Sequence, residues 1–106
     1  MIVVIFEAEP YAAQRDGYFR IAAELRPLLE RIDGFISVER FQSLTDPHRV
    51  LSLSFWRDEE AVRRWRETDA HRAAQGEGRM RVFRDYRLHV AAVVRDYGMR
   101  ARDEAP

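Results

Sequence analysis

The feature that most constrains the fold is the order in which strand-like and helix-like patterns follow one another along the chain. Residues 2–9, IVVIFEAE, form a nearly continuous apolar and β-branched run, which is typical of a strand covered on both faces. Apolar residues then recur every three or four positions from Tyr18 to Ile32. That spacing predicts an amphipathic helix, with a kink expected at Pro27.

Two strands and a second helix are predicted next. FISVERFQS at 35–43 and VLSLSFWR at 50–57 both alternate with period two, and the LTDPHR between them suits a turn, so a hairpin is expected. The second of these strands alternates most clearly: one face carries Leu51, Leu53 and Phe55, and the other carries Ser52, Ser54 and Trp56. Asp58 is placed to cap the second helix, whose buried face is predicted to consist of Ala61, Val62 and Trp65.

A last strand is predicted over residues 86–97, YRLHVAAVVRDY, longer than the usual strand of about 5 to 6 residues. The resulting order, β-α-β-β-α-β, predicts an α+β, ferredoxin-like protomer with a four-stranded antiparallel sheet and both helices on one face. The opposite face would be partly apolar and uncovered, so a homodimer packed sheet against sheet is expected. We expect one domain over residues 1–98 and a disordered tail at 99–106.

Composition excludes several kinds of chemistry. The chain has no cysteine, lysine or asparagine, which excludes thiolate ligands, disulfides and Schiff-base lysines. Its 18 basic residues, all arginine, are balanced by 18 acids, so no net charge would attract nucleic acid or an anionic membrane. The apolar start MIVVIF is too short to be a signal peptide or membrane span, and a cytoplasmic protein is therefore expected.

The segment RRWRETDAHRAAQGEGR, residues 63–79, carries the main candidate site. The apolar stripe of the second helix stops after Trp65, which predicts a break at Thr68 and Asp69, with Asp69 capping a short new helix. His71 and Gln75 would share a face of that helix. One interpretation makes His71 a base at a pocket rim and Trp65 an aromatic wall; the other makes both purely structural.

The remaining candidates carry weaker signals. Tyr86 could point its phenol into the same cavity as Trp65, or could simply pack. His48 lies in a turn, and His89 lies in the last strand, where cross-strand hydrogen bonding at the dimer face is expected. The histidines show no metal-ligand spacing, and phosphate-binding, serine-hydrolase and zinc-protease motifs are absent from the sequence. The arginines around Trp65 alternate with acids, as on a salt-bridged solvated face.

The segments GFISVERFQS, LSLSFWRDEEAVRRW, HRAAQ and YRLHVAAVVRDYG together resemble the antibiotic biosynthesis monooxygenase domains of the dimeric α+β barrel superfamily, over about residues 2–98. The resemblance implies a homodimer joined through its sheets, with a ligand cavity in each protomer. It also implies oxidation of a small aromatic substrate, such as an anthrone or quinol, by molecular oxygen without a metal or other cofactor. His71 would then be the base, while Trp65, Gln75 and Tyr86 would bind the substrate.

Two alternatives remain open at this stage. Haem-degrading relatives pair a tryptophan on this helix with an axial histidine ten residues later and an asparagine on the first strand. Trp65 matches that pattern, but Gln75 occupies the histidine position and the chain has no asparagine. Haem binding through His71 is therefore the second choice. A non-catalytic dimer that binds a small hydrophobic molecule is the third, because a fold does not fix an activity.

Overall fold

The computed structural model describes residues 1–68, 71–73 and 82–100. Within them the elements follow the predicted order, and their bounds are β1 (Ile2–Pro10), a 3-10 turn (Ala12–Gln14), α1 (Arg15–Leu29), β2 (Phe35–Gln42), β3 (Val50–Trp56), α2 (Glu59–Arg66) and β4 (Phe83–Ala92). None of the helices described is both long enough and apolar enough to cross a membrane.

The four strands form one antiparallel sheet in the order β2-β3-β1-β4. β1 is therefore central, as its apolar run predicts, and β2 and β3 form the predicted hairpin. This order and the two helices give the α+β, ferredoxin-like fold that the sequence predicts. A β-bulge near Phe35 shifts the register between β2 and β3, so that Phe35 and Ser37 pair with Trp56 and Phe55 respectively.

The main core lies between one face of the sheet and the two helices. Leu29 of α1 and the predicted stripe of α2 pack there against two sheet residues, Val38 and Trp56. The stripe consists of Ala61, Val62 and Trp65, all buried. We call this side of the sheet the inner face.

The loop between α1 and β2 is fixed closely against α2. Gly34 adopts a φ of 93°, a conformation that favours glycine, and its carbonyl accepts a hydrogen bond of 2.7 Å from the Arg57 backbone N–H. A Cβ at Gly34 would lie 2.7 Å from the Cβ of Ala61. Asp58 caps α2 as predicted, because its Oδ1 accepts the Ala61 N–H at 2.9 Å.

The alternating residues of β3 show which of their two sides is the inner one. Ser52, Ser54 and Trp56 face the helices, whereas Leu51, Leu53 and Phe55 face away from them. The outward side, which we call the outer face, also carries Val3 and Ile5 from β1. Within the described residues, α1 and α2 thus cover one side of β1, whereas the sequence predicts coverage on both.

Two predicted boundaries are wrong. The first helix ends at Leu29 rather than extending to Ile32, and turns occupy the residues before β2. The last strand spans Phe83–Ala92 rather than residues 86–97. It ends at Ala92 because that residue pairs with Ile2, where its partner strand begins. The predicted tail at 99–106 lies outside the described residues from position 101 onward.

Candidate functional site

A cavity of about 360 Å³ lies between the inner face of the sheet and the two helices. Its lining is mostly aliphatic and aromatic, and side chains from all four strands and both helices contribute to it. On the β4 side the lining residues Tyr86, Leu88 and Val90 are each about half exposed, so this wall is open in a single chain. Concave, largely apolar sites with a few polar groups are typical of small-molecule binding.

Two tryptophans form one side of the cavity. Trp65 comes from the buried stripe of α2 and Trp56 from the end of β3, and both line the cavity while packing in the core. The indole Nε1–H of Trp56 donates a 2.9 Å hydrogen bond to Ser54 Oγ, which satisfies both polar groups inside the protein. Trp65 is therefore both a core residue and an aromatic wall, so the two interpretations from the sequence are compatible.

Helix α2 ends where the sequence predicts a break, and the side chain of Thr68 forms hydrogen bonds on both sides of that break. Its Oγ1 donates to the Trp65 carbonyl at 2.8 Å and accepts the His71 backbone N–H at 3.2 Å. The bond from the His71 N–H to Thr68 Oγ1 is that of a helix N-cap. Together the two bonds hold His71 close to Trp65. Asp69, the predicted cap, lies outside the described residues.

His71 lines the cavity and packs against Trp65, with the two ring centroids 5.4 Å apart and the planes at 68°. Its Nδ1 is buried and has no hydrogen-bond partner of ordinary geometry among the described residues. Burial lowers the pKa of His71 below its ordinary value of 6.5; the Arg66 backbone carbonyl opposes this, and the Arg66 charge adds to it. His71 is therefore neutral at pH 7 and can accept a proton.

Tyr86 also lines the cavity, on the opposite side from α2. It is the fourth residue of β4 and not the first of the strand, since pairing with β1 extends back to Phe83. Its ring stacks on Phe6 at 5.6 Å and is tilted against Phe83 at 5.9 Å. The structure thus brings Trp65, His71 and Tyr86 to one cavity; Gln75, the fourth predicted site residue, lies outside the described residues.

Arg40 is a cavity residue that the sequence analysis did not single out. It lies on the inner face of β2, opposite Ser52, and its Nε is buried without a hydrogen-bond partner in the described part of the chain. The available signal was its spacing of two residues from Val38, a buried core position. An arginine in phase with a core residue on a strand must place its side chain on the covered side.

The ionisable groups around the cavity are mostly basic. Arg40 and Arg66 line it as cations and His71 as a neutral imidazole, and the described lining residues include no aspartate or glutamate. Among the described residues there is also no cluster of three or more His, Asp or Glu side chains that could hold a metal ion.

His48 and His89 lie apart from the cavity. His89 lies on the outer face opposite Ile5, with its Nε2 3.9 Å from a carboxylate oxygen of Glu7. That position is consistent with the expected cross-strand contact. His48 lies in the predicted turn, where its backbone N–H donates to Asp46 Oδ1 at 3.0 Å.

Comparison with known proteins gives a consistent family. Residues 1–77 match the model of the family described as antibiotic biosynthesis monooxygenase. The chain is 52% identical over 93 residues to "Jasmonate monooxygenase ABM" of Pyricularia oryzae, covering 88% of this chain and 43% of that protein. It is 30% identical over 79 residues to the uncharacterized protein YqjZ of Bacillus subtilis, covering 74% and 68% respectively. The chain therefore spans less than half the length of the Pyricularia relative.

Solved structures share the fold. Rv0793 from Mycobacterium tuberculosis aligns with a TM-score of 0.81 at 14% identity, covering 92% of this chain and 98% of that one. SO0527 from Shewanella oneidensis aligns with a TM-score of 0.77 at 19% identity, covering 85% and 87%. At such low identities these likenesses establish the fold and leave the chemistry to the residues of the site.

Proposed function

We propose that this chain, which belongs to the antibiotic biosynthesis monooxygenase family, is a monooxygenase whose substrate occupies the cavity between the inner face of the sheet and the helices. The observation that carries the proposal is the state of His71. Its ring lies against Trp65 in an apolar cavity, its buried Nδ1 has no hydrogen bond of ordinary geometry within the described residues, and burial lowers its pKa. A neutral imidazole in that position suits a general base.

The substrate class we propose is a small aromatic molecule with an acidic C–H or O–H, such as an anthrone or a quinol. His71 takes the acidic proton, and the electron-rich anion that remains transfers electrons to molecular oxygen. For an anthrone, one oxygen atom becomes the new carbonyl and the other leaves as water with the two hydrogens of the methylene group. The two electrons that reduce the second oxygen atom to water also come from the substrate, so this reaction requires no cofactor.

The remaining residues would position the substrate and exclude water. Trp65 and Trp56 offer aromatic surface on one side and Tyr86 on the other, and aromatic rings stack favourably on such surfaces. A cavity that excludes water also strengthens electrostatic interactions with the substrate anion. Gln75 stays a predicted substrate-binding residue, four positions after His71 in the sequence.

The partly exposed apolar residues of the outer face lead us to propose a homodimer as well. A second copy packed against the outer face would cover the apolar residues Val3, Ile5, Leu53 and Phe55, which are only partly buried in one chain. Sheet-on-sheet packing of this kind places two protomers back to back, with their cavities on opposite sides.

The test of the activity is oxygen consumption by the purified, metal-free protein with anthrone and hydroquinone substrates. Jasmonate is the second substrate to assay, because the Pyricularia relative is named for it. We expect a rate above the uncatalysed one that His71→Ala lowers by about 10² to 10⁴, the usual contribution of a general base.

His89→Ala is the matched control, since His89 lies on the outer face. An unchanged rate in His71→Ala would remove the mechanism, and absence of turnover with every substrate would favour a binding protein.

Haem binding is the competing function, and His71 would be its axial ligand. We expect haem titration to give no Soret shift that depends on His71. A shifted band in the unmodified protein that His71→Ala abolishes would replace the monooxygenase proposal with the haem alternative.

A further inference from the structure

Arg40 differs from other arginines of the chain in what surrounds its guanidinium. Arg57 donates to both carboxylate oxygens of Asp33 at 3.1 Å and also contacts Asp58. Arg63 pairs with Glu60 and Glu67. Arg40 forms no salt bridge within the described residues, and its Nε is buried without a hydrogen bond. These other arginines are half exposed at their side chains, whereas Arg40 extends into an apolar cavity.

Arg40 is partly buried, and leaving its Nε–H without an acceptor is costly. Moving a cation out of water carries a penalty of several kcal/mol unless an anion or hydrogen-bond acceptors replace the lost hydration. The neighbours of Arg40 on the inner face are Val38 and Gln42 along the strand and Ser52 across from it, so no carboxylate is adjacent. An arginine in such a position is characteristic of a binding group. Its planar guanidinium can donate two parallel hydrogen bonds to one carboxylate.

The rest of the cavity restricts what else the ligand can be. The described lining offers no acid to repel an anion, and Arg66 adds a second positive charge. Most of the surface is hydrocarbon or aromatic, contributed by residues such as Phe6, Leu25 and Leu88. A ligand that satisfies both features has one anionic end and an apolar body.

We propose that Arg40 binds a carboxylate that the substrate carries in addition to its oxidised group, so that the cavity takes monocarboxylates with an apolar body in preference to neutral molecules of the same shape. This inference rests on the proposed function, because it takes this cavity as the substrate site. Arg40 on β2 and His71, which follows α2, line the same cavity. A molecule whose carboxylate binds Arg40 therefore lies in the cavity that His71 also lines. Arg40 is then the residue that determines specificity, and His71 is the base.

The experiment measures binding without turnover. Isothermal titration calorimetry under nitrogen compares straight-chain carboxylates from hexanoate to dodecanoate and 4-phenylbutanoate with the methyl ester of each. We expect at least one acid to bind about tenfold or more tightly than its ester, the ratio expected for a charge-assisted hydrogen bond. Arg40→Gln should abolish that preference, and Arg40→Lys, which keeps the charge without the fork, should retain part of it. Arg20→Gln is the matched control, since Arg20 is an exposed arginine of α1 away from the cavity.

A second readout is thermal unfolding. Without ligand, Arg40→Gln should unfold at the same temperature as the unmodified protein or higher, because it removes a buried N–H that has no acceptor among the described residues. The acid that binds best should raise the unfolding temperature of the unmodified protein and of Arg20→Gln but not of Arg40→Gln.

Three results would overturn the inference: no acid binds, each ester binds as tightly as its acid, or Arg40→Gln keeps the preference for acids. The first two require no variant, so a misfolded variant could not obscure them. Failure here is distinct from failure of the proposed function. Oxygen consumption that depends on His71 can persist without any preference for carboxylates, and carboxylates can bind through Arg40 in a protein that consumes no oxygen.

Discussion

The two faces of the sheet are built from the same four strands, but β3 turns its more apolar side away from the helices and its more polar side towards them. The outer face displays Leu51, Leu53 and Phe55 from β3, yet neither α1 nor α2 packs on it. The inner face of the same strand displays two serines, yet it bears the core and the cavity. Hydrophobicity along one strand therefore does not identify the side that faces the helices.

The difference is what the proposed roles of the two faces require. An outer face that meets a flat, identical sheet needs only apolar area and shape. An inner face that surrounds a small molecule also needs polar groups whose hydrogen bonds are controlled, such as Ser54 beneath Trp56 and Arg40 opposite Ser52. Predictions that alter one face at a time test this distinction.

The largest effect is expected from truncating the inner-face core. Trp65→Ala removes a buried indole that contacts both the core and His71, and should lower the free energy of unfolding by about 3–5 kcal/mol. Urea unfolding followed by circular dichroism measures this loss. Leu44→Ala, at a fully exposed loop leucine, should change it by less than about 0.5 kcal/mol. A loss near 1 kcal/mol for Trp65→Ala would show that the inner face is not the core.

A charge on the outer face should separate the protomers and leave each one folded. Leu53→Arg would place two like charges at a symmetric interface, at a cost of about 3 kcal/mol or more, or roughly a hundredfold in dimer dissociation. Light scattering after size exclusion should then give the protomer mass, while Leu44→Arg keeps the dimer mass. If the unmodified protein elutes as a protomer, the outer face has another role.

The third prediction concerns the pH dependence of inner-face chemistry. Because burial lowers the pKa of His71 below its ordinary value of 6.5, the imidazole is mostly neutral at pH 6.5. The rate of oxygen consumption should therefore reach half of its maximum at a pH below 6.5, as His71 becomes protonated. His71→Gln should lose this acid limb and His89→Gln should retain it. A rate that already falls above pH 7 would contradict the assignment of His71 as the base.

The smallest effect compares two serines. Ser54→Ala leaves the buried Trp56 Nε1–H without its acceptor and should cost about 1–3 kcal/mol. Ser37→Ala, on the exposed outer side of β2, should cost less than about 0.5 kcal/mol. Both values come from the same denaturant titration, and equal losses would show that the inner-face serine has no structural role.

Much of the fold could be predicted because each helix and strand has a recognisable pattern within its own residues. Period-two and three-to-four spacing gave the order of strands and helices, and Asp58 marked the start of α2 through its capping chemistry. The end of the last strand could not be predicted in this way. β4 stops at Ala92 because β1 begins at Ile2, and a strand ends where its partner does.

The candidate site was only partly predictable, for a similar reason. Trp65 and His71 stand out by residue type and by the end of an apolar stripe, and the structure places them 5.4 Å apart between ring centroids. Arg40 was not recognised, since its spacing from Val38 places the two on one side of β2 without showing that this side is the covered one. Only the pairing of β2 with β3, under the helices, shows that this arginine lines the cavity.

By itself, then, the sequence determined the ferredoxin-like order of elements, the capped helix and the break at Thr68, because these depend on backbone and side-chain preferences within a few residues. Tertiary structure alone decided which side of each strand faces the helices, where β4 ends and which charged groups meet in the cavity. Those outcomes depend on residues far apart in the chain, and period-two alternation is the same whichever face is turned inward.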